Sequence, residues 1–203
     1  MSVELLHMDC MDYMATLEDN AFDLAVVDPP YGIGVTAMNM GGRKTIKPDK
    51  EKTWDSMPPD PAYFEELFRV SGNQVVWGGN YFDLRSSQYF AVWDKGETMY
   101  GRDFAEAEYA WVRSGGTRVF KLSPNQLARI HPTQKPVKLY EWLLKNYAKE
   151  GDRILDTHLG SGSSAIAAHY GGFDFVGMEL DEDYYKAACE RFDRETAQQA
   201  MEL

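Results

Sequence analysis

Four consecutive residues, Asp28-Pro29-Pro30-Tyr31, follow the apolar run Phe22–Val27 and precede Gly32 and Gly34. An aromatic amine is a poor nucleophile because its lone pair is delocalised into the ring. A carboxylate and a carbonyl that each accept one of its two hydrogens draw the nitrogen towards a tetrahedral shape and localise that pair. Asp28 is the candidate carboxylate and the Pro29 carbonyl the second acceptor. Consecutive prolines fix φ and remove a backbone donor, so the carbonyl stays aimed. Asp28 would also stabilise the positive charge that develops on nitrogen as it attacks a sulfonium methyl. Tyr31 offers a face on which a flat base can stack, a contact typically of about 1–3 kcal/mol. The bland alternative is a strand-to-turn boundary, since Pro-Pro and Gly are loop signals in themselves. The motif's place at the carboxyl end of a buried strand, where open α/β sheets bind ligands, favours chemistry.

A second candidate lies far along the chain. Arg153-Ile154-Leu155-Asp156 reads as a strand and runs into Thr157-His158-Leu159-Gly160-Ser161-Gly162-Ser163 and an Ala-rich helix. Gly160 and Gly162 permit positive φ and close approach of a ligand to the backbone. The third glycine of the dinucleotide fingerprint is missing, which disfavours pyrophosphate. The next strand ends near Glu179, nineteen residues after Gly160. That is close to the spacing at which a strand-end acid accepts ribose hydroxyls in nucleoside-binding α/β folds. A lone GxG is often a structural turn. Strand, glycine turn, helix, strand and acid in succession point to an adenosyl ligand.

These residues need a scaffold, and the hydrophobic pattern describes one. Strands are expected near Val3–His7, Asp23–Val27, Gln74–Trp77, Tyr89–Trp93, Tyr109–Val112, Arg153–Asp156 and Phe173–Gly177. Helices are expected over Met11–Leu17, Pro61–Val70, Pro136–Tyr147, Ser163–Tyr170 and Glu182–Thr196. Alternating strands and helices argue for stacked βα units on a mostly parallel sheet. Pro61 and Pro136 suit first-turn positions and Asp60 an N-cap. The segment between Tyr31 and Pro61 has no clear periodicity, and a loop that long is usually a functional lid or a disordered segment.

Composition narrows the class. The 203 residues are 44% hydrophobic and 26% charged, near ordinary globular usage and enough for one sizeable α/β domain. No apolar stretch approaches a membrane span, and the N-terminus lacks the cationic and apolar regions of a secretory signal. Cys10 and Cys189 are no disulfide framework, so a reduced cytoplasmic setting is expected. No His, Cys or Asp spacing resembles a zinc or iron site, so no metal is expected. The net charge of −11 is unusual for a protein that grips phosphates, but its distribution is uneven. Residues 1–31 hold seven acids and no Lys or Arg, whereas no acid occurs from Tyr109 to Tyr140, which contains Arg113, Arg118, Lys121, Arg129, Lys135 and Lys138. Residues 41–52 add five cations, Arg43 and Lys44 among them, against Asp49 and Glu51. Chance clustering on solvated faces is the bland account. Two local basic patches for nucleic acid are the sharper one.

With both motifs in view, the chain resembles the amino-methyltransferases of DNA in their β arrangement, where the catalytic motif precedes the cofactor motif. His131-Pro132-Thr133-Gln134-Lys135-Pro136 resembles the segment before their first cofactor strand. Trp77-Gly78-Gly79-Asn80-Tyr81-Phe82, Trp93-Asp94-Lys95-Gly96 and Met99-Tyr100-Gly101-Arg102-Asp103-Phe104 are similar to phage- and prophage-borne adenine methylases. The resemblance implies a Rossmann-like α/β fold of the S-adenosylmethionine-dependent methyltransferases, with a mostly parallel seven-stranded sheet and helices on both faces. It implies methylation of adenine N6 in DNA, with S-adenosylmethionine as donor, S-adenosylhomocysteine as product and no metal. Asp28, Pro29, Pro30 and Tyr31 become the catalytic loop. Asp28, Asp156, Leu159, Gly160, Ser161 and Gly162 would line the cofactor, Glu179 would take its ribose, and Lys135 with Thr133 and Gln134 would lie near its methionine carboxylate. Asp9 matches the acidic position near the cofactor adenine, although an N-cap for the helix that follows explains it equally well.

Two departures bear on this. Thr157-His158 stands where the wider family has Pro-Phe, which makes His158 a pocket-wall residue rather than a catalyst. Restriction-associated relatives carry a long recognition insert, whereas here a short loop, residues 114–130, and a lid, residues 32–57, are all that remain within a single domain spanning 1–203. DNA contact is therefore assigned to Arg43, Lys44, Arg113, Arg118, Lys121 and Arg129, with Trp54 as either a DNA contact or a pocket aromatic. The small recognition region leaves room for a homodimer. Cytosine-N4 methylation, RNA adenine methylation and a non-catalytic nucleic-acid-binding subunit stay open. His7 and His169 read as core or surface histidines.

Overall fold

The computed structural model describes residues 1–34, 54–103, 105–124 and 129–199. The central strand β2 (Phe22–Val27) is an uninterrupted apolar run, Asp23 apart, because helices cover both of its faces. Leu24 and Val26 point into one hydrophobic cluster and Ala25 and Val27 into the other, as the two-residue period of a strand requires. The first cluster is closed by α3 (Val137–Tyr147), α4 (Ser163–Gly171) and α5 (Glu182–Gln199), the second by α1 (Cys10–Met14) and α2 (Pro61–Val70). Leu67 and Leu143, one from each cluster, are fully buried, each contributing about 1.5–3 kcal/mol of transfer free energy.

The other strands are β1 (Val3–His7), β3 (Ser71–Trp77), β4 (Tyr89–Asp94), β5 (Ala107–Val112), β6 (Arg118–Lys121), β7 (Arg153–Asp156) and β8 (Asp174–Glu179). They form one sheet in the order β1-β8-β7-β2-β3-β5-β4-β6. All pairings are parallel except those of β5 with β3 and β4, so β5 alone runs against the rest. The sheet is thus mostly parallel as expected, but among the described residues it has eight strands rather than seven. The additional strand, β6, lies inside the stretch expected to be a recognition loop. Its four residues are too short to show a period. Phe120 secures it by stacking on Trp142 of α3 at 5.1 Å.

Helix boundaries shift slightly. Asp60 caps α2 by accepting the Ala62 amide, and Pro61 opens the helix. Pro136 is the N-cap of α3, so the helix begins at Val137, one residue later than expected. α1 ends at Met14 instead of Leu17, because the chain turns there to reach Asn20, whose φ is 55°.

β7 and β2 are neighbours, yet the chain leaves β7 through α4 towards β8 and leaves β2 through α2 towards β3. This is the reversal point at which open α/β sheets form a ligand crevice beyond their carboxyl ends. The two motifs, more than a hundred residues apart, therefore emerge side by side.

Candidate active site

Asp28 is the first residue beyond β2. Its Oδ1 accepts the Tyr31 hydroxyl at 2.7 Å, and its Oδ2 accepts from the Lys135 ammonium. Burial, followed by the charges of Asp28 and Glu108, keeps the Tyr31 phenol well above its ordinary pKa, so it remains a donor. The loop is strapped by Asp55, whose Oδ1 accepts the Tyr31 amide at 2.8 Å and the Gly32 amide at 3.0 Å. Gly78 has φ +68°, and a Cβ there would lie 2.2 Å from the Tyr31 ring, so no other residue fits against that ring. Tyr81 stacks on Tyr31 with centroids 4.9 Å apart and planes within 13°. The surface expected to receive a base is therefore covered by a second tyrosine, itself 48% exposed.

Lys135 is 4% exposed and is held among opposite charges. Besides Asp28 it contacts Glu108 Oε2 at 3.2 Å, and Glu108 Oε1 contacts Lys95 at 2.8 Å. Burial works against the charged lysine, but Asp28 and Glu108 outweigh it and hold the ammonium above its ordinary range. Burial alone would raise Glu108, and Lys135 and Lys95 reverse that and keep its carboxyl low. Sequence reasoning missed Glu108 and Asp55. Neither sits in a motif, and each becomes legible only through the partner it meets across the fold.

The glycine turn hangs on β8. Glu179 Oε2 accepts the Gly160 amide at 2.9 Å and Oε1 accepts the Asp181 amide at 2.9 Å. From α5, the buried Arg191 donates to the Ser161 carbonyl at 2.9 Å and to Ser163 Oγ at 2.8 Å, and Ser163 donates to the Lys135 carbonyl. Arg191 is a further residue the sequence did not single out.

Asp9, Asp28, Thr133, Gln134, Lys135, Leu159, Gly160, Ser161 and Glu179 line one cavity of about 580 Å³, within the usual range for small-molecule sites. Pro30 joins the wall, while Pro29 is buried behind it. Asp9 caps α1 through the Met11 amide at 2.7 Å and also lines the cavity. Two expectations need correction. Asp156 does not reach the cavity. It lies beneath the turn, accepting the His158 amide and the Ser164 hydroxyl, and burial pushes its carboxyl up to about 7. Gly162 faces Ala188 of α5 and serves as N-cap of α4. His158 is a cavity wall, as expected. It is bonded to Thr157, which in turn meets Tyr63 of α2, and burial lowers its pKa to about 4, so the ring is neutral at pH 7.

The residues expected to contact DNA are scattered. Arg43 and Lys44 fall outside the described residues. Trp54 lines the cavity and packs on His131 at 5.1 Å, the pocket-aromatic alternative of its two readings. Lys121 is paired in register with Asp94 at the site end of the sheet, and bonds Glu97. Arg129 donates to the Pro124 carbonyl at 2.7 Å. Arg113 follows the antiparallel β5 and Arg118 begins β6, so both lie at the end of the sheet away from the site. The antiparallel course of β5 causes this reversal, and the sequence pattern did not reveal it.

Among the described residues no helix is long and apolar enough to cross a membrane, and no group of three or more His, Cys, Asp and Glu residues is placed to hold a metal. The fold is that of the S-adenosylmethionine-dependent methyltransferases: the crystal structure of M1.HpyAVI in complex with SAM superposes with a TM-score of 0.62, at 18% identity, over 95% of this chain and 100% of that one. Residues 85–190 match the family model for DNA methylases, and the chain belongs to that family. It is 29% identical to YubD of Escherichia coli (strain K12), a putative methylase by name, over 90% of this chain and 87% of that protein. It is 28% identical to the Type II methyltransferase M2.DpnII of Streptococcus pneumoniae over 81% of this chain, and spans 57% of that longer protein.

Proposed function

We propose that the protein transfers a methyl group from S-adenosylmethionine to the N6 amino group of adenine in DNA. The observation that carries this reading is that Asp28, Gly160 and Glu179 open onto one cavity although β2 and the β7–β8 pair come from opposite ends of the chain. The residues present suit the donor molecule. Glu179 and Asp9 offer carboxylates to hydroxyl and amino groups, Lys135 offers an ammonium to a carboxylate, and the left-handed Gly160 exposes backbone between them. Thr133, Gln134, Leu159 and Ser161 would complete that wall. When bound, S-adenosylmethionine supplies an electrophilic methyl on sulfur.

The protein's own part is to make the amine reactive. Target adenine must leave the base stack to reach a recessed carboxylate. Asp28 accepts one amino hydrogen and the Pro29 carbonyl the other, which localises the nitrogen lone pair. Asp28 then offsets the charge on the methylated nitrogen until its proton passes to solvent. Alignment and preorganised charge supply the acceleration, with no covalent enzyme intermediate. Lys121 and Arg129, with Arg43 and Lys44, are the cations proposed to meet the DNA. The short recognition region leaves room for a homodimer, and sedimentation of the free protein tests it.

Expression in a host without DNA methylation, followed by modification mapping, tests the activity. N6-methyladenine is the expected product. N4-methylcytosine, or unmodified DNA alongside methylated RNA, would replace this reading with one of its rivals.

A further inference from the structure

Lys135 sets a problem for the chemistry. An ammonium bonded to the catalytic carboxylate cancels the negative charge that a methylated, cationic nitrogen needs. A second carboxylate, Glu108, contacts the same ammonium at 3.2 Å. Glu108 stands near the start of β5, opposite Trp93 in the register with β4, and its other oxygen is held by Lys95 at 2.8 Å. Lys95 is steadied in turn over the Trp93 ring at 5.5 Å. The lysine thus lies between two acids, over the ring of the fully buried Trp77 at 5.3 Å.

We propose that Glu108 is a positioning residue that shares the Lys135 ammonium with Asp28, so that Asp28 keeps enough negative charge, and enough freedom from the lysine, to take the target amine. The inference rests on the methyltransferase reading above. With Glu108 present, the two carboxylates Asp28 and Glu108 balance the two ammoniums Lys135 and Lys95 beside the reacting nitrogen. With Glu108 neutralised, the Lys135 ammonium has Asp28 as its sole acidic partner of the two, and the cluster carries one net positive charge where the nitrogen must become positive. The loss falls on the step in which nitrogen becomes positive, not on binding of the methyl donor.

The test compares wild type, Glu108→Gln, Glu108→Asp and Lys135→Met with and without Glu108→Gln. Steady-state methyl transfer to unmethylated plasmid DNA gives kcat, and calorimetry gives affinity for S-adenosylmethionine. Glu108→Gln is expected to lower kcat by on the order of 10- to 100-fold, a full charge removed a few ångströms from the reacting group. Donor affinity should change less than about 3-fold, and Glu108→Asp should recover most of the rate, since the charge remains. In the Lys135→Met background Glu108→Gln should cost far less, about 3-fold or under, because the cation it restrains is gone and only its weaker direct field remains. An unchanged kcat in Glu108→Gln overturns the inference, as does a rate loss matched by lost donor affinity or one that is undiminished without Lys135. If Glu108→Gln does not fold, the double variant, which removes one charge of each sign from the wild type, is set against Lys135→Met, and a double variant slower by about 10-fold or more overturns the inference. A wild-type protein that leaves the plasmid unmodified overturns the methyltransferase reading and this inference with it; an active wild type with an indifferent Glu108 overturns the inference alone.

Discussion

The Asp28→Asn replacement keeps the shape of the side chain and removes its charge, and the structure separates two consequences. The first is catalytic. The new amide could accept one amino hydrogen but could not offset a positive nitrogen, and losing one preorganised electrostatic partner of this kind costs about 2.7–4 kcal/mol, or about 10²- to 10³-fold in kcat. The second is structural. Lys135, almost wholly buried, would keep Glu108 at 3.2 Å and lose its other carboxylate. Because one acid remains, the cost should stay near the roughly 1–3 kcal/mol of a poorly satisfied buried group, below that of an unpaired buried ion. For a domain of this size each kcal/mol lowers Tm by about 2–4 °C, so a fall of about 2–12 °C is expected. A protein stable by about 5–15 kcal/mol stays folded at 25 °C through such a loss, so the rate effect is measurable on folded enzyme. The assay is methyl transfer to unmethylated DNA at saturating S-adenosylmethionine, with a thermal melt and donor titration on the same sample. Turnover above about a tenth of wild type, a loss well short of that expected from the missing electrostatic partner, would show that the carboxylate's charge is not what the reaction uses.

Stability should also carry a hidden pH balance. Burial raises Asp156 from 3.8 to about 7, so its contribution is full below 3.8 and is lost as pH rises through 7. Burial lowers His158 from 6.5 to about 4, so its contribution is full above 6.5 and is lost as pH falls through 4. The two slopes oppose each other between about pH 4 and 6.5. Urea denaturation should show Asp156→Asn gaining stability relative to wild type as pH rises across that window, and His158→Phe losing it; parallel profiles for both variants would contradict the burial argument. Among the cations, Lys121→Ala and Arg129→Ala should weaken DNA binding and reduce its salt dependence, each by about one counterion. Arg113→Ala and Arg118→Ala should leave both unchanged, which binding titrations at several salt concentrations would check.

The parts of the molecule that were legible beforehand are those encoded locally. β2 and β7 were readable because a strand buried on both faces must be almost continuously apolar, and the turns after them because Asp-Pro-Pro-Tyr and Gly-Ser-Gly constrain the backbone within a few residues. β6 was not, since Arg118-Val119-Phe120-Lys121 becomes a strand through its pairing with β4 and the Phe120–Trp142 contact, neither of which leaves a local pattern. The same applies to the site. Asp28, Gly160 and Glu179 announced themselves by spacing, whereas Asp55, Glu108 and Arg191 act on partners 24 to 30 residues away along the chain. Arg113 and Arg118 misled because a run without acids looks like a patch, while one reversed strand sends its two halves to opposite ends of the sheet.

Each segment that builds the cavity springs from the carboxyl end of a parallel strand or runs over that end, while the turn from Lys149 to Asp152, between α3 and β7, lies at the other end and is closed by the Lys149 amide on Asp152. Gly151 there has open space around it. A peptide tag or fluorescent label grafted into that turn would be carried clear of the cavity by the length of β7. The molecule can therefore be handled from one end while its chemistry proceeds undisturbed at the other.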